Sequence, residues 1–299
     1  MIGISTVASF QKNYDLRRNV AQATAEMNKA SMEVSTGLKQ DVYAEGRGAA
    51  GETLNIRARM EANDSYLQAN ALLEGRMNAT DESITAIREA ASDFMTFLVS
   101  GSLSGENRDV VTAQAQITIE EIANKMNTSY AGSFLFSGLE TGAKTVTVNA
   151  DWSTTYNGDT TGQLTAQIDE GISMKYGVRG DNSGFTDILA ALQVAASTDL
   201  DALDDTAFEA LRETLVEQMN GGIEALTAEQ ATLGDKLAML DRTVTRQEGV
   251  ANLYNESVLE IEGVDVNEAA VRLQGIQIQL DATFNVTARL SEMTFLNYI

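Results

Sequence analysis

The sequence predicts a mainly α protein: a long antiparallel helical bundle of coiled-coil type, with nested N- and C-terminal helices and a small β-rich insert domain. Three observations point there. No proline occurs in 299 residues, although ordinary usage near 5% would supply about 15. Proline breaks a helix interior by removing an amide donor and clashing with the preceding turn, so its absence permits very long helices. Apolar residues recur at alternating steps of three and four in four separate stretches, the spacing that keeps one stripe turned toward a partner helix. From Gly132 to about Gly184 the chain abandons that spacing for Gly, Thr, Asp and Ser.

The first stripe is Leu16, Val20, Ala23, Met27, Ala30 and Val34, and it stops at Gly37, a residue suited to the left-handed position after a helix. The second is Leu73, Met77, Thr80, Ile84, Ile87, Ala91, Phe94 and Leu98, ending at Gly101, where a Gly/Ser loop to Gly105 allows a reversal. The third, looser, is Val111, Ala115, Ile119, Ile122 and Met126. In the middle, Thr145–Val148 alternates as a strand, and 163–168 and 172–178 are further strand candidates. Asn157-Gly158 is a strong short hairpin signal, and a short helix at about 187–196 leads back.

The longest stripe runs from Leu226 through Gln230, Leu233, Leu237, Leu240, Val244, Gln247, Ala251, Tyr254 and Val258 to Ile261. Its helix is expected to start at Thr206, where Thr206-Ala-Phe-Glu209 has the form of a capping box, and to bend or restart at Gly221-Gly222, since each glycine costs about 1 kcal/mol relative to Ala. After Gly263, Asp265-Val-Asn-Glu268 opens a last helix with Val266, Ala270, Leu273, Leu280 and Phe284, and the apolar ending is Phe295-Leu296-Asn297-Tyr298-Ile299.

This order gives three regions. Residues 1–40 and 264–299 form a terminal helical domain, 41–131 and 185–263 a long helical bundle, and 132–184 a β-rich outer insert. Long striped helices are marginal alone and draw most of their stability from packing. The central helices can cover one another within the chain. The two terminal helices can pair, but a pair leaves its outer faces exposed, so neighbouring copies are the natural cover. The residues assigned to that assembly interface are Leu16, Val20, Met27, Val34, Val266, Ala270, Leu273, Leu280, Phe284, Phe295, Leu296, Tyr298 and Ile299. Both ends are expected to be wholly or partly disordered in a solitary chain and helical once assembled.

Composition excludes much else. With no Cys and no His, no disulfide, thiolate nucleophile, zinc–thiolate site or imidazole base can exist. A formal charge of −22 argues against nucleic acid, whose phosphates need a basic surface, and against an anionic membrane. The charge is uneven: residues 132–209 hold 12 acids against 3 bases, whereas residues 1–40 hold 3 acids against 5 bases. No stretch approaches the roughly 20 apolar residues of a bilayer span, and the first residues lack the pattern of a cleavable signal peptide. No catalytic, cofactor-binding or metal-binding residues are expected. Gly138–Thr145 lacks the adjacent Gly-Lys of a phosphate loop, and the acid pairs Asp169-Glu170 and Asp204-Asp205 are expected to be solvated charge. The sequons at Asn78 and Asn127 fall in expected helices. Gln230 and Gln247 are polar residues on a seam, where they either set register or face a gap, and Trp152, the only tryptophan, is expected to fill the core of the insert.

Ile4-Ser5-Thr6, the stripe ending Val34-Ser35-Thr36-Gly37-Leu38-Lys39, and Ala49-Ala50-Gly51 resemble the first helix, turn and second helix of flagellin-type proteins. Ser133-Phe-Leu-Phe-Ser-Gly138, Tyr156-Asn157-Gly158-Asp159, and the last helix with Leu273, Gln277, Leu280 and the terminal Asn-Tyr-Ile resemble the hook-associated protein 3 (hook–filament junction) branch of the flagellin superfamily. Asp41–Gly48 departs from the acidic, often Pro-containing segment common there. The resemblance implies a non-enzymatic structural protein of the bacterial flagellum, exported unfolded through the type III apparatus without a cleavable signal and residing outside the cell. It implies a ring of copies between hook and filament, with terminal helices inside and the β insert toward solvent. The implied partners are copies of itself, the neighbouring hook-associated protein, flagellin and a flagellar export chaperone. A filament subunit and, less closely, a chemoreceptor-like signalling bundle are the alternatives.

Overall fold

A computed structural model describes residues 2–41, 47–100 and 108–296, with side chains at 11, 14–41, 51–99 and 108–289. The reversal expected at 101–105 and the last residues, Tyr298 and Ile299, lie outside the described residues. Among those described, the order is α1 (Ile2–Thr36), α2 (Arg47–Ser100), α3 (Asp109–Met126), β1 (Ser129–Tyr130), β2 (Ser133–Phe134), β3 (Val146–Val148), β4 (Thr154–Tyr156), β5 (Leu164–Asp169), β6 (Ile172–Tyr176), α4 (Ser183–Ser197), α5 (Asp205–Glu262) and α6 (Val266–Leu296). At 1.5 Å per residue, α5 is about 87 Å long. The chain divides into two compact units, Met1–Ala62 with Val250–Ile299, and Asn63–Gly249.

In the second unit the stripes become core. Leu73, Met77, Thr80, Ile84, Ile87, Ala91, Phe94 and Leu98 of α2 are all buried, as are Val111, Ala115, Ile119, Ile122 and Met126 of α3. Apart from Thr80, they form one cluster with Phe185, Ile188 and Leu192 of α4, Leu226, Leu233 and Leu240 of α5, and Leu135, Phe136, Val146, Ile168 and Met174 of the strand-bearing segment. The strands make three separate antiparallel two-stranded ladders, β1–β2, β3–β4 and β5–β6. Their inward residues therefore share the core of the helices.

Four local expectations are corrected. The start of α5 is capped by Asp204, whose carboxylate accepts from Ala207 N at 2.8 Å and whose carbonyl accepts from Phe208 N at 2.9 Å. Thr206 thus lies inside the first turn, because an Asp two residues earlier already satisfies the free amides there. Helix α5 does not restart at Gly221-Gly222. Gly222 faces α4 at close range: an added Cβ would stand 2.6 Å from Ile188 Cγ1 and 3.0 Å from the Gly184 carbonyl oxygen. Packing against α4 offsets the propensity cost. The β3–β4 turn falls at 149–153 and not at Asn157-Gly158. Val146 pairs with Tyr156, and the reversal is closed by Trp152 N to Asn149 O at 3.0 Å, with Trp152 at φ +63°. Gly158 instead sits under Tyr156, where a Cβ would meet the phenol oxygen at 2.4 Å. Finally, Asn127 is the C-cap of α3 and not a helix-interior residue; its side chain exchanges hydrogen bonds with Val146 N and O at 3.0 and 2.8 Å. Trp152 is half-buried against the edge of the main cluster.

The two seam glutamines are fully engaged. Gln230 accepts from Arg88 at 2.6 Å and donates to Asp81 and Thr85 at 2.9 and 2.8 Å. Gln247, 2% exposed, donates to the Ile168 carbonyl at 2.8 Å and accepts from Asn70 at 2.9 Å, while Asn70 also donates to Ile168 O at 2.9 Å. This triangle of bonds docks the end of β5 on α2 and α5, and Arg246 pairs with Asp169 beside it. At the other end of α5, buried Arg108 donates to Leu203 O at 2.6 Å, pairs with Asp205 and lies 4.3 Å from the centre of the Phe208 ring.

Candidate assembly surface

The first unit is built on an antiparallel pair, α1 with α6. Residues near the end of α1 meet residues near the start of α6: Glu33 meets Arg272, and Ala30 packs with Ile276 and Leu280. Among the described side chains, only Ala30, Ile276 and Leu280 form the buried centre of that cluster, with Val20, Ala23, Met27 and Leu273 half-buried around it. A pair this thin hides one stripe of each helix and leaves the rest.

What remains outside is strongly apolar. On α6, Val271 and Ile278 are 71% and 63% exposed; at 100° per residue they lie on the side opposite Ile276 and Leu280. Val266, Phe284 and Val286 are also exposed. On α1, Met32 and Tyr14 are exposed, and Leu54, Leu253 and Leu259 are exposed on the parts of α2 and α5 in this unit. Val271, Ile278 and Val286 lie toward one side of α6, while Val266 and Phe284 lie on the side of Leu273 and Leu280; isolated exposed apolar residues are ordinary, whereas several on one side of a helix mark an interaction face.

The residues assigned to the interface from sequence thus fall into distinct positions. Leu280 is buried within the pair; Leu16, Val20, Met27, Val34 and Leu273 are half-buried; Val266, Ala270 and Phe284 face outward. The side chains of Phe295 and Leu296, and all of Tyr298 and Ile299, lie outside what the structure describes.

Sequence reasoning missed the polar joint at the base of this pair. Gly37 turns the chain at φ +71°, and Leu38 bridges Gly263 in antiparallel fashion. Lys39 N donates to Glu262 O at 2.7 Å, Val264 N to Gly37 O at 3.0 Å, and Lys39 Nζ to Ile261 O at 3.1 Å. Two nearly buried carboxylates flank the bridge. Glu262 takes Arg57 through two hydrogen bonds of 3.2 and 2.6 Å. Glu33 takes Arg272 at 3.2 Å and the Gln40 amide at 3.4 Å. Arg272 also reaches Glu268. Asp265 then caps α6, accepting from Asn267 N and Glu268 N at 2.8 and 3.2 Å. The cap was legible as a short motif. The ion pairs were not, because each joins residues some 200 positions apart.

Among the described residues, no group of three or more carboxylates is placed to hold a metal ion, and no helix is long and apolar enough to cross a membrane. The chemistry of this surface is that of packing and charge.

Residues 7–141 match the bacterial flagellin N-terminal helical region, and residues 216–299 match the bacterial flagellin C-terminal helical region. The chain belongs to the flagellin family. As a flagellin-family protein it is a structural component of the bacterial flagellum. It is 22% identical over 266 residues to a flagellin of Brucella melitensis, covering 88% of this chain and 86% of that one. In fold it is similar to a flagellar hook-associated protein of Vibrio parahaemolyticus, with a TM-score of 0.60 at 14% identity, over 72% of this chain and 98% of the other. It is also similar to FlgL of Bacillus cereus, with a TM-score of 0.56 at 13% identity, over 69% of this chain and 99% of the other. These likenesses place the nested helical plan, with its strand-bearing middle, in a known flagellar fold.

Proposed function

We propose that this flagellin-family chain is the adaptor at the hook–filament junction, built into a ring through the α1/α6 pair. The observation that carries the reading is the imbalance of that pair: among the described side chains, three form its buried centre while Val266, Val271, Ile278, Phe284 and Val286 stay outside. Neighbouring copies, the adjacent hook-associated protein and flagellin would cover those side chains. A cytoplasmic export chaperone would cover them before export, and the assembled protein would lie outside the cell. In this reading 1–40 and 264–299 assemble, 41–131 with 185–263 form the supporting bundle, and 132–184 faces outward. The likeness to hook-associated folds supports it.

Because the described part of the α1/α6 pair buries only a small apolar centre, we expect both helices to be loosely held in the solitary chain and firmly held in the ring. Hydrogen exchange on the monomer tests this: protection throughout both helices as strong as in the central bundle counts against it. Leu280→Asp places a carboxylate in the small apolar centre of the pair. It should abolish assembly while the second unit keeps its cooperative unfolding transition. Normal motility in that variant would overturn the role of the pair.

The second reading, a filament subunit, is supported by the near-complete coverage of the Brucella flagellin. Electron microscopy of cells lacking the gene separates the two. Bare hooks with flagellin lost to the medium favour the junction, and loss of filament mass alone favours the filament.

A further inference from the structure

Glu33 and Glu262 occupy positions that their own helices disfavour. Glu33 lies in the last turn of α1, and Glu262 is the last residue of α5. A helix C-terminus carries partial negative charge and is normally accompanied by a cation, yet neither last turn holds a basic residue. Both carboxylates are also nearly buried, with side chains 4% and 8% exposed. Each is made tolerable by an arginine from a distant segment, Arg272 from α6 and Arg57 from α2. Between them runs the Leu38–Gly263 bridge, the place where the chain leaves one helix for the next at both ends of the molecule.

Ion pairs taken from water add little net stability, because loss of hydration offsets the attraction; their distinct effect is to penalise every arrangement that leaves one partner unmatched. From this we infer that the Glu33–Arg272 and Glu262–Arg57 pairs are a lock that fixes the register of α1 on α6 and of the end of α5 on α2. They act as positioning residues for assembly and not as a source of stability. This rests on the assembly reading above. The small apolar centre of Ala30, Ile276 and Leu280 would tolerate more than one register. The buried acids admit the one at which both arginines are in reach, and a repeating assembly needs every copy to present its helices in the same register.

The test is a double replacement, Glu33→Met with Arg272→Leu, produced as the full chain in cells lacking the native gene. Apolar side chains of similar length remove the pair without leaving a bare charge. The expected result is a melting temperature equal to or above that of the parent, together with loss of filaments from most hooks. Retained stability with normal filaments overturns the lock. Glu262→Gln, which keeps the shape of the side chain and weakens its hold on Arg57, supplies a second arm: the lock predicts fewer attached filaments with the melting temperature nearly unchanged. If both replacements lower assembly only in proportion to lost stability, the pairs are ordinary packing elements and the inference falls. Leu280→Asp run in parallel distinguishes the two levels. If it too assembles normally, the role of the terminal pair fails. If it alone blocks assembly, only the lock fails.

Discussion

Replacing Asn70 and Gln247 singly and together tests how β5–β6 is held on the helices. Three hydrogen bonds form a triangle: Asn70 to Ile168 O, Asn70 to Gln247, and Gln247 to Ile168 O. Both side chains are buried, at 1% and 2% exposure. Gln247→Leu removes two of the three bonds but leaves the Ile168 carbonyl with Asn70. Asn70→Leu also removes two, and leaves the Gln247 oxygen unmatched. At about 1 kcal/mol per net bond, rising to about 1–3 when a buried partner is stranded, each single change should cost about 1–3 kcal/mol. The double change removes three bonds, not four, because the Asn70–Gln247 bond is shared. It also leaves the Ile168 carbonyl without either side-chain donor, so the cost of the double change should depart from the sum by about 1 kcal/mol. Denaturant unfolding of the four proteins measures the coupling. For a unit of this size each kcal/mol lowers the melting temperature by about 2–4 °C. Hydrogen exchange should show the loss concentrated at 164–176. Strict additivity, or unchanged protection there, would refute the triangle as the holding element.

Two further outcomes follow from local geometry. Gly221 and Gly222 should respond with opposite signs to alanine. Nothing lies within 4 Å of a Cβ at Gly221, so Gly221→Ala should stabilise by up to about 1 kcal/mol through helix propensity. At Gly222 the added atom meets Ile188 and the Gly184 carbonyl, so Gly222→Ala should cost about 1–3 kcal/mol as α4 is pushed away; thermal unfolding decides both. Tyr156 should make the protein alkali-sensitive. Burial first, then the nearby Asp181, pushes its phenol from 10.0 up to about 12. The unfolded chain therefore loses this proton earlier than the folded one, and stability should fall as pH rises from about 10 to about 12. Tyr156→Phe should remove that slope, and the ultraviolet phenolate signal should show one late-titrating tyrosine in the parent only.

The helices were legible because their signal is periodic and repeated. A stripe such as Leu73 to Leu98 can be buried in only one way by a helix, and every member of it is buried. The left-handed turn at Gly37 and the cap at Asp265 were legible too, since each depends on residues a few positions apart. The failures share a cause. Gly221-Gly222 reads as a weak point only while α4 is unknown, because the glycine serves a contact made by a helix some thirty residues away. Asn157-Gly158 has the strongest local turn chemistry, but the Val146–Tyr156 pairing takes the reversal upstream. At the candidate surface, the apolar stripes of α1 and α6 could be seen in advance. The ion pairs at Glu33 and Glu262 could not, since nothing in a one-dimensional pattern connects residue 57 with residue 262.

The unit that carries the α1/α6 pair is assembled from the two extremities of the polypeptide, up to Ala62 and from Val250 onward. The other unit is one uninterrupted segment. Bringing distant segments together must overcome the entropy of the long loop between them, and contacts of that kind form late. An earlier-made α1 has no counterpart until α6 has been made, so the adhesive face matures after the central unit. That delay is a form of self-restraint: the central unit, one continuous segment, is available first, and the sticky face matures only once its two distant halves have met.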